Sequence, residues 1–163
     1  MVDAQLVRLD PRIGTERGID GGKNVNGRKR SILTDIQGRI WRVNVHAANV
    51  HDGVAGKDLV YPNLTDQMER LEKVMGDKAY RGQFADLLSK ADGKVVFQCP
   101  SRLEGVKCFV VEAKRWVVER TFAWFNFYRR ITKNHERTVE NSASWILVAN
   151  IQMVLLSIAK IDP

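Results

Sequence analysis

The sequence predicts an α/β domain, with strands and helices in layers around one core. Three observations carry this. Two β-patterned runs, Ser31–Thr34 and Ile40–Ala47, flank a polar turn at Asp35–Gly38. An amphipathic helical stretch, RGQFADLLSKA, lies between two short apolar runs, EKVM and KVVFQC. The last third holds two long apolar segments with helical spacing, of which RWVVERTFAW belongs to the first. A chain of 163 residues that is 44% hydrophobic has enough apolar surface for one such domain, residues 1–163.

Taken in order, VDAQLVRL places apolar residues loosely in alternation and reads as a strand starting almost at the first residue. RIGTERGIDGGKNVNGRKR is rich in Gly, Asn and cations, has no period, and reads as a loop. In the following hairpin, Ile40, Arg42, Asn44 and His46 are expected on one face and Trp41, Val43 and Val45 on the other, with Asp35 serving the turn. Residues 52–71 read as helix or loop. EKVMGD is a strand expected to end on Asp77. Phe84, Leu87 and Leu88 share one helical face in the next segment. KVVFQC is a strand stopped by Pro100, a long helix is expected over Val111–Ile131, and a final apolar helix starts near Ser142.

Composition narrows the function classes. The formal net charge is +7, which favours an anionic partner, nucleic acid being the commonest. Cys99 and Cys108 form no CxxC pair and no disulfide framework, which fits a reducing cytoplasm. No signal-peptide pattern opens the chain, since Asp3 comes at once. Trp145–Ile158 is interrupted by Asn150, Gln152 and Ser157, falls short of a roughly 20-residue span, and reads as a core helix, so no membrane partner is expected. His46, His51 and Asp52 lack further ligands nearby in sequence and read as structural rather than metal-binding.

The helix around RWVVERTFAW raises the chemical question. On an ideal helix, Arg115, Glu119, Asn126 and Arg130 fall within about 60° of one another, while Trp116, Val117, Val118, Trp124, Phe125, Phe127 and Tyr128 cover much of the rest. A helix so apolar is expected to be packed on nearly all sides. Its polar stripe then reads either as an Arg115–Glu119 ion pair on the one solvated face or as the wall of a polar site. Two further carboxylates raise the second reading: Asp3 in the first strand and Asp77 at a strand end, where ligand sites of α/β sheets gather, although singly Asp3 reads as an exposed terminal residue and Asp77 as an N-cap. Three such acids suit two hard divalent ions, Mg²⁺ or Mn²⁺, of the kind that serve phosphodiester chemistry.

These stretches also carry a resemblance. VDAQLV, RGIDGGKNVNGRKRSILTDIQGRI, VHAANVHDG, GDKAYRG and KRWVVERTFAWFNFYRRITKNHER together resemble the DDE transposases of bacterial insertion sequences, in the group called insertion-sequence family five, in the family's order and over nearly the whole chain. The resemblance implies an RNase H-like fold, Mg²⁺ dependence, and DNA strand cleavage followed by transfer of a 3′-hydroxyl. By position Asp3, Asp77 and Glu119 are its three catalytic, metal-binding acids. A wider signature, Y-x-x-R-x-x-x-E-x-x-x-x-x-x-K, is matched by Arg115 and Glu119, with Glu112 and Asn126 at its Tyr and Lys positions. Because only Met1 and Val2 precede Asp3, the first strand is expected to be clipped and the family's N-terminal DNA-recognition region absent, the chain being either the second frame of a frame-joined element or a remnant.

The resemblance makes double-stranded DNA, at element ends and at the target, the expected partner, with a homodimer in the DNA complex and an upstream-frame product supplying recognition. Lys23, Arg28, Lys29 and Arg30 are expected to form one basic cluster on the Gly-rich loop; Arg129, Arg130, Lys133 and Arg137 form another after the acid-bearing helix. Tyr80 and Arg81, beside Asp77, are expected near the scissile backbone, and Arg115 and Asn126 near phosphates. Two other function classes share these residues. One is an inactive DNA-binding remnant in which Asp3 is not positioned. The other is a host nuclease of RNase H type, against which the RWVVERTFAW match counts.

Overall fold

The structure, a computed structural model, describes residues 1–13, 15–60, 64, 68–92, 95–99 and 115–159. Cys108, Glu112, Pro100 and the start of the helix expected from Val111 lie outside the described residues. The architecture is mixed α/β. Strand β3 (Val25–Thr34) is the centre of an antiparallel sheet. Strand β1 (Val2–Arg8) pairs along one side of it, from Val2 opposite Leu33 to Arg8 opposite Gly27. On the other side, β2 (Gly18–Asp20) pairs with its first residues and β4 (Ile40–Ala47) with the rest. A second, parallel pair joins β5 (Lys73–Met75) to β6 (Val96–Gln98).

The loop expected over residues 12–30 is corrected. Its second half is strand, because β1 and β4 both offer β3 a hydrogen-bonding ladder, and that ladder outweighs the weak strand propensity of Asn26, Gly27 and the cations. The alternation expected for β4 is also corrected at its start. A register shift between Leu33 and Thr34 brings Ile40 into the same cluster as Val43 and Val45 and leaves Trp41 exposed. Asp35 does serve the turn: its Oδ1 accepts from the backbone N–H groups of Gln37 (2.8 Å) and Arg39 (3.0 Å).

Two clusters cover the two faces of β3. On one face Val2 and Leu33 pack with Leu59, Val74, Tyr80, Phe84 and Leu88. The partners come from the short helix α2 (Lys57–Val60), which follows α1 (Asp52–Ala55), from β5 and the 3₁₀ turn Lys78–Tyr80, and from α3 (Gln83–Asp92). On the other face Ile32 and Val45 pack with Val118, Phe122, Phe125, Ile131 and Ile146. Adjacent residues Ile32 and Leu33 thus feed opposite cores, the mark of a strand buried on both sides.

The long helix expected over Val111–Ile131 is corrected to three pieces: α4 (Trp116–Trp124), a 3₁₀ turn (Phe125–Phe127), and α5 (Arg129–Thr132). Tyr128 takes extended backbone angles, φ −104° and ψ 97°, and breaks the run. The wheel drawn through Asn126 and Arg130 therefore does not hold, and α4 is not packed on all sides. Val117, Val118, Thr121 and Phe122 are buried, whereas Trp116 is 47% exposed.

The final helix, α6 (Val139–Ala159), begins three residues before the expected Ser142. It docks on β4 by a double hydrogen bond: Ile40 N–H donates to Asn150 Oδ1 (2.9 Å) and Asn150 Nδ2 donates to Ile40 O (3.1 Å). The core-helix expectation holds only for its first half, where Ser142, Ile146 and Ala149 are buried. Val148, Ile151, Leu155, Leu156 and Ile158 are exposed. By length and composition it is apolar enough to cross a membrane, which core helices also satisfy.

Candidate active site

Asp3 stands second in β1, opposite Ile32. Because Val2 points into one core, Asp3 points to the other face, where α4 lies. The strand holding it is not loose: Val2 is 1% exposed and β1 pairs over all seven residues. Asp77 follows β5. Gly76 brings the two strand ends together, since a Cβ built on it would sit 2.7 Å from Val2 Cγ1. Asp77 also caps the next turn, its Oδ1 accepting from Ala79 N–H at 2.9 Å.

Glu119 lies on α4 and is 58% exposed at its side chain, with Arg115 Nε 3.4 Å from its Oε1. The ion pair expected from the i,i+4 spacing is therefore present, and it coexists with a wider relationship. Burial pushes the Asp3 carboxyl up to about 6, opposed by the Ala4 N–H and by Arg115, and both Asp77 and Glu119 push it further up. Asp3, Asp77, Glu119 and Arg115 thus share one electrostatic neighbourhood.

Among the described residues, no group of three His, Cys, Asp or Glu side chains closes on one point as a ready coordination sphere. The donor chemistry nonetheless fits a hard cation: three carboxylates, no sulfur or imidazole, with mutual repulsion at Asp3 that positive charge relieves. In this conformation Glu119 is engaged by Arg115 and Asp77 by the Ala79 N–H.

The azimuth of α4 is fixed by the hairpin. Thr121 Oγ1 donates to Gly38 O at 2.9 Å, and Arg120 Nη2 donates to Gln37 O at 2.9 Å. Arg120 is also held between two indoles, 4.4 Å from the Trp116 ring and 4.7 Å from Trp124. Sequence reading missed this clamp, although the i, i+4, i+8 spacing of Trp116, Arg120 and Trp124 signals it.

The basic cluster expected on a loop is corrected. Arg28 and Arg30 are buried in β3, and Lys29 is ion-paired with Asp20 (3.1 Å) and Asp52 (2.9 Å). Arg28 donates to the carbonyls of Thr15, Glu16, Glu136, Arg137 and Thr138, tying two loops together. Tyr80, expected at the DNA backbone, is instead fully buried in the core, where desolvation raises its pKa. Lys23, Arg81, Asn126, Arg129, Lys133 and Arg137 are exposed. Arg130 is exposed too, but paired with Glu136 (2.8 Å) and stacked on Trp145.

His46 accepts from Ser31 at Nε2 (2.9 Å) and donates from Nδ1 to Ala47 O (3.0 Å), while His51 caps α1. Both are spent on the backbone or its neighbours.

Comparison with curated proteins and with solved structures gives no significant match. A family model described as transposase DDE domain matches residues 1–154, which span all three acids, the hairpin and α4. On that match, the chain belongs to the DDE transposase family.

Proposed function

We propose that this chain is the catalytic domain of an insertion-sequence transposase of the family-five group. In this reading it has an RNase H-like fold, cuts DNA at element ends and joins the freed 3′-hydroxyl to target DNA. Membership of the DDE family implies DNA as partner and a polynucleotidyl transferase or nuclease activity in general. The observation that carries the finer reading is the electrical coupling of Asp3 to both Asp77 and Glu119, acids that come from β1, from the end of β5 and from α4.

Asp3, Asp77 and Glu119 are the residues that would hold divalent ions, Mg²⁺ or Mn²⁺. Such ions supply charge to the attacking and leaving oxygens of a phosphodiester. Arg115 has two roles in the resting chain. It neutralises Glu119, and it lowers the proton affinity of Asp3 against burial. Its guanidinium, beside both acids, is placed where a phosphate of the DNA strand would meet it. Arg81, Asn126, Arg129 and Lys133 provide exposed groups for the DNA backbone around the acids. The reading includes a homodimer on DNA.

The test is Mg²⁺-dependent cutting and joining of DNA carrying the sequences that flank the coding region. Loss of both steps in Glu119→Gln is expected, and full activity in that variant would overturn the assignment.

A further inference from the structure

Arg28 and Arg30 are both buried cations on β3, 0% and 2% exposed, yet they are treated differently. Arg28 is surrounded by carbonyl acceptors. The Arg30 side chain makes no hydrogen bond or ion pair with a described residue, and its Nε is sealed from solvent with no hydrogen-bond partner among them. Burial pushes it down to about 10, and no carboxylate among the described residues opposes that. A buried cation without a counter-charge is costly and rare unless a ligand completes it.

Arg30 lines a cavity of about 310 Å³. Arg8 and Lys133 supply two more cations, Gln5, Asn126 and Thr132 supply neutral hydrogen-bonding groups, and no acidic residue lines it. A guanidinium offers a planar fork that matches the paired oxygens of a phosphate. The cavity also has a telling position. Gln5 is opposite Arg30 in the β1–β3 ladder, and Asp3 is two residues back on the same face, roughly 6.7 Å along the strand.

We propose that this cavity binds a phosphate group of the DNA strand, with Arg30 as its floor and Arg8 and Lys133 at its rim, beside the carboxylates. The proposal rests on the reading of the chain as a DNA-acting enzyme, and it adds a fixed phosphate subsite on the sheet itself. It also explains why the Arg30 side chain has no partner among the described residues: its partner arrives with the substrate.

Two measurements on the full chain test it. In the first, thermal unfolding is followed in inorganic phosphate and in chloride of equal ionic strength. Phosphate is expected to raise the Tm of the wild type by several degrees. Arg30→Met is expected to lose that rise while melting no lower than wild type in chloride, because it removes an unpaired buried charge. In the second, anisotropy of a short labelled duplex is measured across a salt series. Arg30→Met, and separately the exposed pair Arg8→Gln and Lys133→Gln, are expected to bind about tenfold more weakly, with the salt slope reduced by about one for each lost phosphate contact. If Arg30→Met fails to fold, the rim pair carries both readouts.

An equal phosphate response in wild type and variants would overturn the site. A phosphate response without any change in DNA affinity or slope would overturn the DNA assignment and leave a free-anion site. Neither readout requires cleavage. A chain that binds through Arg30 but never cuts DNA would therefore refute the catalytic reading and leave this subsite standing.

Discussion

The Thr121 hydroxyl donates to Gly38 O at 2.9 Å and, with Arg120 Nη2 donating to Gln37 O, ties α4 to the hairpin turn. Thr121 is two residues past Glu119, about 200° around the helix. Docking Thr121 on the hairpin turn therefore turns Glu119 away from it, to the side where Arg115 and Asp3 lie. Gly38 has φ +87°, and a Cβ there would sit 2.7 Å from Thr121 Oγ1.

Thr121→Val keeps the shape and leaves Gly38 O short of a buried donor. It should cost about 1–2 kcal/mol in chemical denaturation. Gly38→Ala should cost at least as much, through both strain and collision. If both variants unfold at the wild-type midpoint, the hairpin does not anchor α4.

Asp3 gives a pH dependence of definite sign. In the folded chain its pKa is about 6 against an ordinary 3.8. Between those values the folded state keeps a proton that the unfolded chain has lost, so stability falls as pH rises from about 4 to about 6. Asp3→Asn abolishes that loss. It should stabilise the chain by about 1–3 kcal/mol at pH 7.5 and by little at pH 4. A gain of equal size at both pH values would show that ionisation of Asp3 is not the cause.

Arg28 should behave as a structural cation. Its guanidinium joins the backbone of residues 15–16 to that of residues 136–138. Arg28→Met leaves those carbonyls buried without donors and should cost about 3–5 kcal/mol, measured by denaturant titration. DNA affinity per folded molecule should be unchanged. A stable Arg28→Met chain with weakened DNA binding would reverse that assignment.

The mixed α/β layering was legible from the sequence, because it rests on local pattern. The turn at Asp35, the amphipathic face of Phe84 and Leu88, and the Arg115–Glu119 spacing depend on near neighbours in the chain. What was not legible depends on partners far away in sequence. The strand through Asn26–Arg30 forms because β1 and β4 both complete it. Its cations looked like a solvated cluster, although Arg28 is neutralised by carbonyls more than a hundred residues on. Tyr80 sits beside Arg81 in sequence, yet the 3₁₀ turn sends it into the core and leaves Arg81 outside. The break at Tyr128 carries no Gly or Pro, so periodicity ran straight through it.

The central claim is that Asp3, Asp77 and Glu119 act together as a divalent-ion site. The most direct measurement is a Mn²⁺ titration of the full chain, followed by the loss of free-ion paramagnetic resonance, at pH 7.5 and again at pH 5. Wild type should bind, and binding should weaken at pH 5 as Asp3 takes up a proton. Asp3→Asn and Glu119→Gln should each weaken binding at pH 7.5 by tenfold or more. Equal Mn²⁺ affinity in wild type and both variants would contradict the account.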